Sequence, residues 1–167
     1  MKIRSSILAA ALALALAPTA DAAGWKQVTA SDGANTDQVS LLRTTDGTLH
    51  VAWRHGAPNA DSLMHTTIGA DGKIGATSTV VSGWADVQNP AIVNAPGGIR
   101  IFWGSIRSTQ STETNDAMST ALSPDGGTSW VLQEGNVVQE NAQAYASPTS
   151  AVTLPDGTPL QSRRAEN

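Results

Sequence analysis

The chain contains no cysteine. That excludes a disulfide framework, a thiolate metal site and a lipid-anchored cysteine after a leader. Aromatic residues are scarce apart from five tryptophans, with one tyrosine and one phenylalanine. Charged residues make up only 14% of the chain, and basic residues do not outnumber acidic ones. Long runs of Ala, Leu, Glu and Lys are missing after residue 22, so the composition offers no long amphipathic helix.

The first residues have their own character. Lys2 and Arg4 form a positive start, and Ile7 to Ala17 is an apolar run too short to cross a bilayer comfortably. Ala20-Asp21-Ala22 fits a small-x-small cleavage site. Residues 1–22 therefore read as a secretory signal peptide, and the expected location is secreted or periplasmic, with no membrane insertion after cleavage. Residues 23–167 then carry eight basic and 13 acidic residues, a net charge of −5. A balance of that sign argues against a nucleic-acid or anionic-membrane surface.

What is abundant is Gly, Pro, Ser, Thr, Asn and Asp, spaced as turns between short strands. Trp25–Thr29 reads as a lone strand. From Val39 the order becomes regular: strands at 39–44, 48–53, 62–68 and 74–81, with turns at Asp46-Gly47 and Asp71-Gly72. The order returns with strands at 90–94, 99–103, 116–122 and 130–138, and begins a third time at 147–154, with a turn at Asp156-Gly157. Trp53 and Trp103 end equivalent strands, 50 residues apart. Four strands per unit of about 50 residues is the spacing of a propeller blade. The expected fold is all-β, a partial β-propeller of four-stranded antiparallel blades at about 39–82, 89–138 and 147–167. Trp53, Phe102, Trp103, Met118 and Leu122 are expected in the core or between blades.

One stretch carries more than spacing. Ser123-Pro124-Asp125-Gly126-Gly127-Thr128-Ser129-Trp130 reads as a tight turn whose short oxygen-bearing side chains accept backbone N–H groups. Its pattern Ser-x-Asp-x-Gly-x-Ser-Trp resembles the Asp-box, or BNR repeat, of sialidase-like β-propellers, with Ser129 where Thr is usual. Ala70-Asp71-Gly72-Lys73-Ile74-Gly75 occupies the corresponding place in the first unit and lacks the Trp. The resemblance implies a six-bladed ring and gives Ser123, Asp125, Gly127, Ser129 and Trp130 a structural role away from the active face. Two complete units and part of a third do not close such a ring. The chain thus reads as the N-terminal portion, or fragment, of a longer propeller, or as one of several copies that together complete a homo-oligomeric ring.

In a four-stranded meander the 2→3 and 4→1 connections share one end, opposite the 1→2 and 3→4 turns. The ligand-face candidates are therefore Arg54, His55, Asn59 and Asp61 of the first unit and Arg107, Glu113, Asn115 and Asp116 of the second. Trp84, Asp86, Gln88 and Asn89, then Gln143 and Tyr145, join them from the 4→1 connections. Rings beside amides and carboxylates suit a glycan ligand, and no cofactor or metal is implied. His50, His55 and His65 form no convincing metal set, because alternation puts His50 inside a strand and the others near strand or loop ends. Asp61, Asp86, Glu113 and Asp116 are the carboxylates from which a glycosidase pair would have to come. The resemblance also implies the sialidase constellation of arginine cluster, Tyr nucleophile, Glu and Asp. The family's Arg-Ile-Pro motif is absent and no Glu stands beside Tyr145, so no catalytic residue is assigned. The function expected is a carbohydrate-related binding or scaffold module. The alternative is the N-terminal part of an exo-sialidase or other glycoside hydrolase.

Overall fold

The computed structural model describes residues 27–29, 33–57, 60–106, 117–133, 138–139 and 147–164. The expected leader lies outside them. Every regular element among them is a strand, and all pairing is antiparallel. The first sheet is a meander of β1 (Asn35–Arg43), β2 (Leu49–Gly56), β3 (Asp61–Ile68) and β4 (Ser78–Trp84). The second runs β5 (Asp86–Ala95), β6 (Gly98–Ile106), β7 (Ala117–Ser123) and β8 (Val131–Leu132), with β9 (Val138–Gln139) also on β7. The third pairs β10 (Ser147–Thr153) with β11 (Pro159–Arg164).

The hairpin turns follow from local chemistry. Asp46 and Asp156 each accept the N–H of the residue two places on, Thr48 at 3.0 Å and Thr158 at 2.9 Å. Gly47 and Gly157 take the left-handed φ of 86° that closes each turn. Asp71 does the same with Lys73 at 2.9 Å. The 70–75 stretch is thus a third turn of this kind, unlike the Ser123–Trp130 turn it parallels in position. Gly75 N–H is bonded to Thr67 O, and Ile74 forms only a single bridge to Ile68. The fourth strand consequently starts at Ser78 rather than at residue 74. Of the strand expected at 130–138, the described residues form two short pieces, β8 and β9, and residues 27–29 form no strand.

The first strands of the three sheets lie side by side. Gln38 Oε1 accepts the Asn89 N–H, and Ser40 Oγ accepts the Ile92 N–H at 3.1 Å, joining β1 to β5. Thr153 Oγ1 donates to Asn94 O at 2.6 Å, joining β10 to β5. Each first strand is bulged near its start, between Asp37 and Ser40, Gln88 and Ala91, and Pro148 and Ser150. Gln38 and Asn89 hold φ of 53° and 46° there. Both bulges face a tryptophan, because Trp53 and Trp103 occupy the single opposing positions.

The core lies between the first two sheets. Ala52, Leu63 and Val81 of the first meet Val87, Ile92, Ile99, Ile101, Trp103 and Ala121 of the second. Full burial of a side chain such as Leu63 contributes about 1.5–3 kcal/mol. Trp53, Trp103 and Met118 are buried as expected, while Phe102 and Leu122 are half-buried on the other face of the second sheet. Val39 and Leu41 on β1, and Val152 and Leu160 on the third sheet, are exposed.

Candidate functional site

The meander separates two ends of the sheets, and each carries a polar cluster. At the end that holds the 2→3 and 4→1 connections, Arg54 and Asp61 stand on neighbouring strands. Arg54 pairs with Leu63 across the ladder, so Asp61 is its diagonal neighbour on the same face. Arg54 Nε donates to Asp61 Oδ2 at 2.7 Å, and its Nη1 lies 3.6 Å from Asp37 Oδ2. Asp61 is buried and also accepts the N–H of Val87, at 3.1 Å, across to the second sheet. The hydrogen bond to Asp61 raises the pKa of Arg54, helped by the charges of Asp61, Asp37 and Asp86. Asp86 accepts a bond from Gln88. Trp84 is half-buried, its ring tilted 5.5 Å from that of Trp103.

The structure thus brings Arg54, Asp61, Trp84 and Asp86 to one end of the first two sheets. Arg54 and Asp61 also serve the fold there, because their bonds join strand to strand and sheet to sheet. His55 is half-buried near the end of β2, opposite Thr36 and Ser62. Arg107, Glu113, Asp116, Tyr145, Asn59, Asn115 and Gln143 lie outside the described residues. Among the described residues no group of three or more His, Asp or Glu is placed to hold a metal ion.

No family model matches the chain, and no curated protein matches it. Its chemistry is therefore read from the two clusters themselves.

At the opposite end, the Ser123–Trp130 turn is closed by its own side chains. Ser123 Oγ donates to Asp125 Oδ1 at 2.7 Å and accepts the Gly127 N–H at 2.7 Å. The Ser129 N–H donates to Asp125 Oδ1 at 2.9 Å, and Ser129 Oγ donates to Oδ2 at 2.5 Å. The Ser129 hydroxyl, the Ser129 N–H and the Ser123 hydroxyl together lower the Asp125 pKa to about 2. An anion so fully engaged in its own turn is a staple, not a catalytic acid.

This turn rests on a pair of buried histidines that sequence alternation kept apart. His50 Nδ1 and His65 Nε2 are 3.1 Å apart, with their rings stacked at 5.3 Å. His65 pairs with Ala52 and His50 with Thr67, so the two histidines are diagonal neighbours on one face. Only the β2–β3 register brings them together, and alternation within each strand carries no signal of it. Trp130 sets its ring edge against His65 at 5.2 Å, and its Nε1–H donates to Ser78 Oγ at 3.1 Å. Ser78 Oγ donates in turn to Gly127 O at 2.6 Å. Burial, and then the neighbouring His50, lower the His65 pKa to about 4, against a smaller opposing pull from the Gly127 carbonyl. Burial lowers that of His50 as well, partly offset by Asp46.

Proposed function

We propose that this chain is an exported, sialidase-like β-propeller module that binds a carbohydrate and carries no complete catalytic set of its own. The observation that supports this most is the Ser123–Trp130 turn. Its Asp-box pattern comes with the side-chain staple on Asp125, at the 3→4 position of a sheet whose first strand lies beside that of the sheet before it. The opposite end, with Asp37, His55, Trp84 and Asp86 around the Arg54–Asp61 pair, is the ligand face in this reading. In the first two sheets that end holds three carboxylates, Asp37, Asp61 and Asp86, around Arg54, while β11 of the third sheet ends there with Arg163 and Arg164. The excess of negative charge around Arg54 favours a neutral glycan over an anionic one at that part of the end.

The same feature weakens the alternative, the N-terminal part of an exo-sialidase. An arginine that grips a substrate carboxylate needs an open fork, and the Arg54 fork is taken by Asp61 and Asp37. The test is a glycan array followed by titration calorimetry on the secreted chain, with light scattering to give its copy number. Saturable binding of a neutral glycan, weakened by His55→Ala and Asp86→Ala, is the expected result. An array without any bound glycan overturns the binding reading. Turnover of a fluorogenic sialoside would favour the hydrolase instead.

A further inference from the structure

The His50–His65 cluster lies away from the proposed ligand face and takes no part in the glycan binding proposed there. Its hydrogen bonds have a direction that donor counting settles. Ser78 Oγ spends its one proton on Gly127 O and accepts the Trp130 Nε1–H. Toward His65 Nδ1, at 3.4 Å, Ser78 Oγ therefore acts only as a weak, long acceptor, so Nδ1 carries the His65 proton. His65 Nε2 is then the acceptor, and His50 Nδ1–H is its donor. In this neutral arrangement His50 Nδ1 and both ring nitrogens of His65 have a role. One added proton can sit on His50 Nε2 and leave the Nδ1–H bond to His65 in place. A second puts two cations face to face at 5.3 Å, with little water to screen them.

We propose that the His50–His65 pair is a pH-sensitive latch, whose protonation releases the Ser123–Trp130 turn of the second sheet from the first. The turn has no slack to absorb the change. Gly127 lies so close over the His65 ring that a Cβ there would stand 2.0 Å from Cε1. The surrounding charges are few. Asp46, in the β1–β2 turn, is the carboxylate whose charge reaches His50. The charged residues of β2 and β3, Arg54 and Asp61, pair at the far end of the sheet. β4 has no charged side chain. Asp125, the carboxylate of the docked turn, is bonded within that turn to Ser123 and Ser129. Asp46 itself is bonded within its own turn to Thr44 and Thr48 and sits by His50 alone, so it offsets one charge of a doubly charged pair at most.

The test is hydrogen exchange of the Trp130 indole N–H, read by NMR on the full chain from pH 7 to pH 4.5 and corrected for intrinsic exchange. The Val51 amide, in the β2–β3 ladder, is the internal reference. Trp130 protection is expected to fall about tenfold between pH 7 and pH 5 while Val51 keeps its own, the size linkage gives once residual solvent screening is allowed for. In His50→Gln the fall should move to lower pH, because the second charge is gone. Ser78→Ala should leave Trp130 unprotected at every pH. Trp130 protection that is flat with pH overturns the proposal. So does loss of Trp130 and Val51 protection at one common midpoint, which would mark the pair as a support of the whole fold.

Discussion

Gly127→Ala should be among the most damaging single-methyl changes in this chain, and the structure says why. The new Cβ would lie 2.0 Å from Cε1 of His65, 2.5 Å from Nδ1 and 2.8 Å from Nε2. The ring cannot swing away, because it is fully buried between His50, Ser78 and Trp130. The φ of +94° adds left-handed strain of about 1–2 kcal/mol for an L-residue. Overpacking a filled site adds about 1–3 kcal/mol. The neighbouring glycine separates the two terms. Gly126 has a φ of +71° and nothing within 4 Å of its would-be Cβ, so Gly126→Ala bears the strain alone. Urea unfolding followed by circular dichroism measures both. With a slope of about 2 kcal/mol per molar, Gly127→Ala should unfold about 0.5–1.5 M earlier than Gly126→Ala. Placing His65→Ala behind Gly127→Ala should remove most of that gap, since the ring in the way is gone. Coincident midpoints for the two glycine variants would refute the close packing of this turn on the histidine.

Further tests follow from the two polar clusters. Asp61→Ala leaves Arg54 half-buried beside a lost partner and orphans the Val87 N–H, so it should cost about 3 kcal/mol by urea unfolding. Asp37→Ala breaks only an exposed 3.6 Å pair and should cost under about 1 kcal/mol in the same assay. Asp125→Ala removes the acceptor of two Ser129 bonds, and amide exchange at Ser129 should accelerate to nearly that of an open loop. A lowered carboxylate pKa gives stability that is present above the ordinary 3.8 and lost as pH falls through about 2, so Asp125 should add no pH dependence between 4 and 7. His65 acts in the opposite range: buried neutral, it favours the docked Ser123–Trp130 turn above 6.5, and that support is lost as pH falls from 6.5 through about 4. The corresponding loss should be about 2 kcal/mol after screening, read as faster exchange of the Trp130 indole N–H, and its absence in the wild type would contradict the buried, neutral ring.

The hairpins were legible in the sequence because their chemistry is local. An Asp two residues before the N–H it accepts, followed by a Gly free to take positive φ, is complete within five positions, and Asp46, Asp71 and Asp156 all use it. The 50-residue spacing of Trp53 and Trp103 was legible too, and both stand opposite a bulge. What alternation could not give was the register between strands. Arg54 reads as a free ligand-face arginine until the ladder places Asp61 diagonally beside it. His50 reads as a strand residue remote from His65 until the same ladder brings them to 3.1 Å. The start of β4 departs from expectation for a related reason: Ile74 has strand-like chemistry, but Gly75 is held by Thr67 O in a loop that must finish before the ladder resumes.

One face of the first sheet explains how these parts act together. Along it run Arg54 and Asp61, then Ala52, Leu63 and Val81, then His50, His65 and Ser78. The middle is apolar and packs against the second sheet without directional preference, so burial alone would tolerate sliding. The ends do not tolerate it. A slip would part Asp61 from the Val87 N–H and Ser78 from Gly127 O and Trp130 Nε1, and each buried polar group left unmet costs about 1–3 kcal/mol. Apolar burial therefore supplies the attraction, and one polar contact at each end sets the position of sheet on sheet. The two contacts differ in one respect. The Arg54–Asp61 end is held by an ion pair, whereas the histidine end can gain charge below pH 6.5, so acid should loosen this interface from the Ser123–Trp130 side first.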